Sequence, residues 1–167
     1  ERPRVQAAAD AVAAWRELGD RTRLHEALLT LAYEWAVALR GTEADAALAE
    51  AMSLEDPSWG ARRREMVANC ASSLAHWRGD VHACLAHTRL ALSLAQAGGD
   101  ELGTLKHRLN LANVALLAGD AAESLAQGRA VVDDLERVEA PALLAMALGN
   151  LCAAQLRLGH TDAAHVS

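Results

Sequence analysis

The chain has 167 residues, a net charge of −6, 52% hydrophobic residues and no phenylalanine. That length suits one compact domain or roughly four units of about 40 residues. Acids spread along it leave no basic face of the kind a nucleic-acid binder carries, and charges cut every apolar stretch below the ~18 residues a membrane span needs.

Alanine and leucine dominate, and strand formers never gather into an alternating run, so the chain reads as all-helical. It opens with Glu1-Arg2-Pro3-Arg4, which leads into an amphipathic helix without a signal-peptide pattern. Turn signals predict helices at 4–18, 21–40, 43–54, 58–78, 80–97, 101–118, 120–137 and 141–158, with a stub from 161. Three joints, Gly79-Asp80, Gly119-Asp120 and Gly159-His160, recur at one even spacing. Glycine suits the left-handed residue that ends a helix, and the following Asp can cap the next one. We take these three glycines as the tight turn inside each unit. Gly19-Asp20, Glu55-Asp56-Pro57-Ser58, Gly98-Gly99-Asp100 and Glu139-Ala140-Pro141 then read as looser breaks between units. An earlier joint at Gly41-Thr42 falls two positions out of phase.

Within the helix at 80–97, Val81, Leu85, Leu92 and Ala95 make one apolar stripe around Thr88, and Leu90, Leu94 and Ala97 make a second. Two stripes fit a helix flanked on two sides in a stack. In 120–137 the stripe is Leu125, Val132 and Leu135, with Gly128 placed where a neighbour could approach closely, while Glu123, Arg129, Asp133 and Arg137 face solvent. Superposed on their glycines, the units align Cys70, Asn110 and Asn150, then Ala71, Leu111 and Leu151, then Leu74, Val114 and Ala154. Leu85 and Leu125 also match, against His165 in the last unit. A fixed period of this kind marks a stacked repeat. The expected fold is all-α, an α-α superhelix (solenoid) of antiparallel helix pairs with a period of about 40 residues. Its expected organisation is one domain over 1–167, a piece of a larger protein. Residues 1–19 are the helix of a preceding unit, 20–56, 57–98 and 99–138 are helix pairs, and 139–167 is a truncated last repeat.

The segments Asn110-Leu111-Ala112-Asn113-Val114-Ala115-Leu116-Leu117-Ala118-Gly119-Asp120 and Asn150-Leu151-Cys152-Ala153-Ala154-Gln155-Leu156-Arg157-Leu158-Gly159-His160 resemble the first helix and turn of a tetratricopeptide repeat (TPR). Asp80 to Leu85 and Asp120 to Leu125 agree with the continuation of that motif, and the resemblance runs from about residue 21 onward. Alanine fills most of the family's Trp and Tyr positions, and the unit is about 40 residues rather than ~34. Long Ala-rich units of this kind resemble the repeats of large bacterial signalling and transcriptional regulators. Fifteen arginines against the single Lys106, with abundant alanine, resemble the usage of GC-rich bacteria.

What the resemblance implies is a non-enzymatic module in which the first helix of each unit lines a concave groove for a protein or peptide. It places Asn110 and Asn150 on that face, with Lys106 and Asn113 nearby and Asn69 one position out of register. An Asn amide offers donors and an acceptor, so a row of them can hold a peptide backbone. The same side chains can instead join helices or cap local backbone. Self-association as a homo-oligomer and small-molecule sensing are the competing readings.

Other candidates carry less. Gly98-Gly99-Asp100-Glu101 resembles the diguanylate cyclase signature but sits between two helices with no strand near it, where a helix end and the next helix start explain it. Among His76, His82, Cys84 and His87, only Cys84 and His87 share a face, and no second pair completes four ligands. Catalytic residues, cofactor and metal are therefore expected to be none. Trp77, before the Gly79 turn, is expected to pack between units rather than line the groove. Cys70, Cys84 and Cys152 lack paired spacing and fall on apolar faces, which fits small thiols in a reducing cytoplasm. Direct nucleic-acid or membrane binding by this segment is not expected. Arg62-Arg63-Arg64 is its one basic run.

Overall fold

The computed structural model describes residues 2–56, 58–137 and 140–159. They form eight helices: α1 (Arg2–Leu18), α2 (Arg21–Val37), α3 (Gly41–Ser53), α4 (Ala61–Trp77), α5 (Val81–Ala97), α6 (Glu101–Leu117), α7 (Ala121–Arg137) and α8 (Pro141–Arg157). No strand occurs among the described residues. The stub expected from 161, His165, and the break residues Pro57 and Glu139 lie outside them. No described helix is long and apolar enough to cross a membrane.

From α2 onward the helices start at Arg21, Gly41, Ala61, Val81, Glu101, Ala121 and Pro141, an even stride. Each interval between the three sequence-marked glycines covers two such strides. One joint repeats. Gly119 sits at φ +86°. Its N–H bonds the Leu116 carbonyl while the Asp120 N–H reaches the Ala115 carbonyl, which together make a Schellman end. The Asp120 carboxylate then accepts from the Glu123 N–H and caps α7. Two residues thus end one helix and start the next. Gly19-Asp20, Gly79-Asp80 and Gly99-Asp100 repeat the same geometry, with the Asp accepting from Arg23, Ala83 and Gly103 respectively. The division into tight and loose joints therefore fails at Gly19 and Gly99. At the first unit the left-handed residue is Leu39, at φ +59°, with the Leu39 and Arg40 N–H groups bonding the Ala36 and Trp35 carbonyls. The stride never slips. Only the glycine does, falling at Gly41 as the first residue of α3.

Residues 1–87 and 88–167 make two compact units, with the boundary inside α5. In the first, α2 packs on α1, α3 and α4, and α3 on α4. Their shared core holds Val12 of α1, Leu24, Leu28, Leu29 and Ala32 of α2, Ala44, Ala47 and Ala51 of α3, and Val67, Cys70 and Leu74 of α4. Partly buried Trp15, Trp35, Leu48 and Met66 close it at the edges. In the second, α6 packs on α7 and α8, and α7 on α8. Its core divides into one cluster around Leu105, Leu109, Val131, Leu135 and Ala147 and another around Leu116, Ala121, Leu125, Leu151 and Ala154. Gly128 is buried, and a Cβ there would stand 2.8 Å from Leu151 Cδ2, so α7 and α8 approach through the missing side chain. On α5 the fully buried line is Cys84, Thr88, Ala91 and Ala95. Val81, Leu85 and Leu92 flank it half-buried, whereas Leu90 and Ala97 of the expected second stripe are exposed. Close packing selects the small side chains and leaves the larger ones at the rim.

Candidate functional site

In each unit the even-numbered helices keep one strip open. On α6 nearly every side is covered, from Leu105, His107 and Leu109 round to Ala115 and Leu116. The open strip runs through Leu102, Lys106, Asn113 and Leu117, all exposed, with half-buried Asn110 at its edge. These positions recur at offsets of three or four, so they stack along one face. Two strides on, α8 exposes Ala142, Met146 and Arg157 with half-buried Ala153 and Asn150 on the corresponding strip. In the first unit the same positions are exposed Thr22, Glu26, Thr30 and Tyr33 on α2. On α4 they are exposed Arg62 and Trp77 with half-buried Met66 and Ser73.

The side chains singled out in the sequence fall on these strips unequally. Lys106 and Asn113 are open to solvent. Asn110 and Asn150 occupy the register held in the first unit by Cys70, whose thiol is buried and donates to the Leu29 carbonyl of the neighbouring even helix at 3.5 Å. On α4 that register meets α2, and Asn110 and Asn150 are each half-buried at it. Burial pushes the Cys70 thiol up to about 12, which keeps it neutral. Asn69 shares its register with Leu29 and Leu109, both buried, and stands half-buried at the rim of the strip. Lys106, Asn110, Asn113 and Asn150 come together within the second unit, on α6 and the α8 packed against it. Asn69 belongs to the first. Gly79, Gly119 and Gly159 hold φ of +73°, +86° and +77° at the ends of α4, α6 and α8. Trp77 is 43% exposed. It lines a small hollow with Ala36, exposed Leu39, Gly41 and Ala44 of the helix pair before it. Cys84 is buried beside Ser72 Oγ at 3.4 Å, while His76 and His82 are exposed.

One cluster escaped the sequence reading. His25 on α2 is fully buried, with neither ring nitrogen hydrogen-bonded among the described residues. Its ring meets Trp59 edge-on, centroids 4.9 Å apart. The Arg63 guanidinium lies 4.7 Å over Trp59 and bonds both Glu26, at 3.1 Å, and the Thr22 carbonyl. Burial, and then the Arg63 charge, hold the His25 imidazole below its ordinary value. The only trace of this in the sequence is the repeat itself, which places His25, Glu65 and Leu105 at one register. All three are buried. Trp15 and Trp35 likewise lie under Arg23 and Arg40, at 4.7 and 5.3 Å.

Known structures share this architecture. BtubC (BKLC) from P. vanneervenii superposes with a TM-score of 0.84 over 99% of this chain and 69% of its own, at 18% identity. The fold is TPR-like. The TPR-like repeats of a Podosopora anserina protein named as a kinesin light chain superpose at 0.73 over 96% of this chain and 80% of theirs, at 15% identity. A substituted variant of those repeats gives 0.74 over the same shares. No family model and no curated protein matches the sequence.

Proposed function

We propose that the chain is a non-enzymatic interaction or sensor module that captures a protein or peptide on the open face of its even-numbered helices. The observation that carries this is the α6 strip: two polar groups, Lys106 and Asn113, set between Leu102 and Leu117 on a helix otherwise covered nearly all round. An apolar pair flanking a cation and an amide suits a peptide that is held by its backbone and carries acidic side chains. The second unit's even helices reinforce the sign. Together they bear Lys106, Arg108 and Arg157 against the single acid Glu101, in a chain whose net charge is −6. The repeat organisation we propose runs over 20–56, 57–98 and 99–138, with 139–167 opening another unit. The Ala- and Arg-rich composition of these long units supports placement in a bacterial regulatory protein of the cytoplasm.

The test uses peptides selected from a random display library against the intact chain. Lys106→Ala combined with Asn113→Ala removes two exposed partners, each worth about 0.5–1.5 kcal/mol, so affinity should fall about tenfold with far-UV CD unchanged. Undiminished binding by this double variant would refute capture on the strip.

A further inference from the structure

We infer that His25 and Trp59 form an acid-released latch, in which a proton taken up by His25 drives the Trp59 ring off α2 while the helices stay folded. The latch joins a helix to a turn. His25 stands fully buried on α2, whereas Trp59 is half-buried in the turn between α3 and α4 and belongs to no helix. Short-range bonds hold that turn, from the Trp59 N–H to the Asp56 carbonyl and from the Ser58 N–H to the Asp56 carboxylate. Moving the Trp59 ring therefore breaks no helical hydrogen bond.

Hydrogen-bond capacity makes the proton decisive. A neutral imidazole carries one N–H donor and one bare nitrogen, and neither has a partner here among the described residues. Protonation turns both nitrogens into donors and adds a charge, so the site would hold a buried cation without acceptors. The surroundings offer little to answer it. The charges that bear on the ring are Arg63 from α4, which opposes the proton, and Glu26 from α2 itself, which favours it. That carboxylate is already held by Arg63 at 3.1 Å. From α1 and α3 the core residues packed with α2 are Val12, Ala44, Ala47 and Ala51, all uncharged. Water is the remaining acceptor, and displacing the half-buried Trp59 ring admits it.

The repeat sets this site apart. At the same register Leu105 is buried and apolar, and Glu65 is buried and bonded to Arg62 at 2.9 Å. His25 instead buries polar nitrogens without a bond. Release also reaches the open strip of the first unit. Arg63 lies 4.7 Å over Trp59 while bonding Glu26 and the Thr22 carbonyl, both at exposed strip positions of α2. When the ring leaves, the guanidinium loses the surface that seats it, and acid thereby changes the polar groups this face presents.

The test is a pH titration of the intact chain labelled with fluorotryptophan, followed by fluorine NMR from about pH 7.5 to about pH 4.5. Trp59→Phe assigns the Trp59 signal, and His25→Leu assigns the His25 ring proton in parallel proton spectra. The Trp59 signal is expected to move with the same midpoint as His25, below 6.5, while far-UV CD stays constant. In His25→Leu, which keeps the fold with an apolar side chain, the Trp59 signal should not respond to pH. Arg63→Gln should raise the shared midpoint, since the lost charge opposes protonation. Three results would overturn the latch: a Trp59 signal that stays still while His25 titrates, a Trp59 shift that survives His25→Leu, or a His25 that titrates only as the CD signal collapses.

Discussion

The two units run on the same helical stride and solve packing in opposite ways. The first contains every Trp and Tyr of the chain, Trp15, Tyr33, Trp35, Trp59 and Trp77, and rests one continuous core across α1 to α4. Three of its tryptophans lie beneath arginines, contacts worth about 0.5–1 kcal/mol each where exposed. The second has no Trp, Tyr or Phe. Its core is two smaller clusters of Leu, Val and Ala, and its helices close on one another through Gly128. A repeat thus sets helix length and joint chemistry without setting how the interior is filled. Where a glycine admits a neighbouring side chain, as Gly128 admits Leu151, any added carbon meets that neighbour directly.

The largest break in this contrast should come from Gly128→Val. The new side chain would collide with Leu151, and overpacking of this kind costs about 2–3 kcal/mol. All four tryptophans report on the first unit, so the loss should appear as an earlier far-UV CD transition while the tryptophan emission transition stays in place. Coincident shifts in both signals would show that the units do not unfold separately.

His25→Leu should act in the other unit and in the opposite direction. It replaces a buried imidazole lacking hydrogen bonds with the residue that fills this register at Leu105, a gain of about 1–2 kcal/mol. The pH dependence gives it a signature. Because the folded-state value of His25 lies below 6.5, the neutral ring's contribution is complete above pH 6.5. It is lost as pH falls from there toward the folded value, since the unfolded chain binds the extra proton first. The facing charges are Arg63, which opposes protonation, and Glu26, which favours it. The slope from this group cannot exceed about 1.4 kcal/mol per pH unit. The difference in urea midpoint between wild type and variant should therefore widen from pH 7 to pH 5. A constant difference would remove His25 as the cause.

The smallest effect expected is Leu39→Gly. A left-handed leucine costs about 1–2 kcal/mol, and glycine returns that strain at the expense of unfolded-state entropy, leaving a net stabilisation of about 0.5–1 kcal/mol in thermal melts. The same substitution at a right-handed position would destabilise, which makes the sign the informative result.

Much of the fold was readable because its determinants are local. Gly-Asp joints carry their own hydrogen bonds, so helix ends were legible within a few positions at α1, α5, α6, α7 and α8. At α4 the reading began too early, since Ser58 and Trp59 precede Gly60 in a turn rather than a helix. At α3 the visible glycine misled, because Leu39 adopts the strained conformation in its place. The candidate face was legible in part. The register of Asn110 and Asn150 follows from the period, but the period does not say that both amides are half-buried, nor that Cys70 at the same register is buried against α2. His25 comes from a stretch of the chain distant from Trp59 and Arg63, and no local pattern ties it to them.

The sequence by itself determined the stride, the helices and their joints, because turn chemistry and helical periodicity act between near neighbours along the chain. Tertiary structure decided which side of each helix stays open, which small residue admits a neighbour, and which rings sit beneath arginines. Those outcomes depend on contacts between residues far apart in sequence, where the free energy lies in shape and burial rather than in the identity of any one residue.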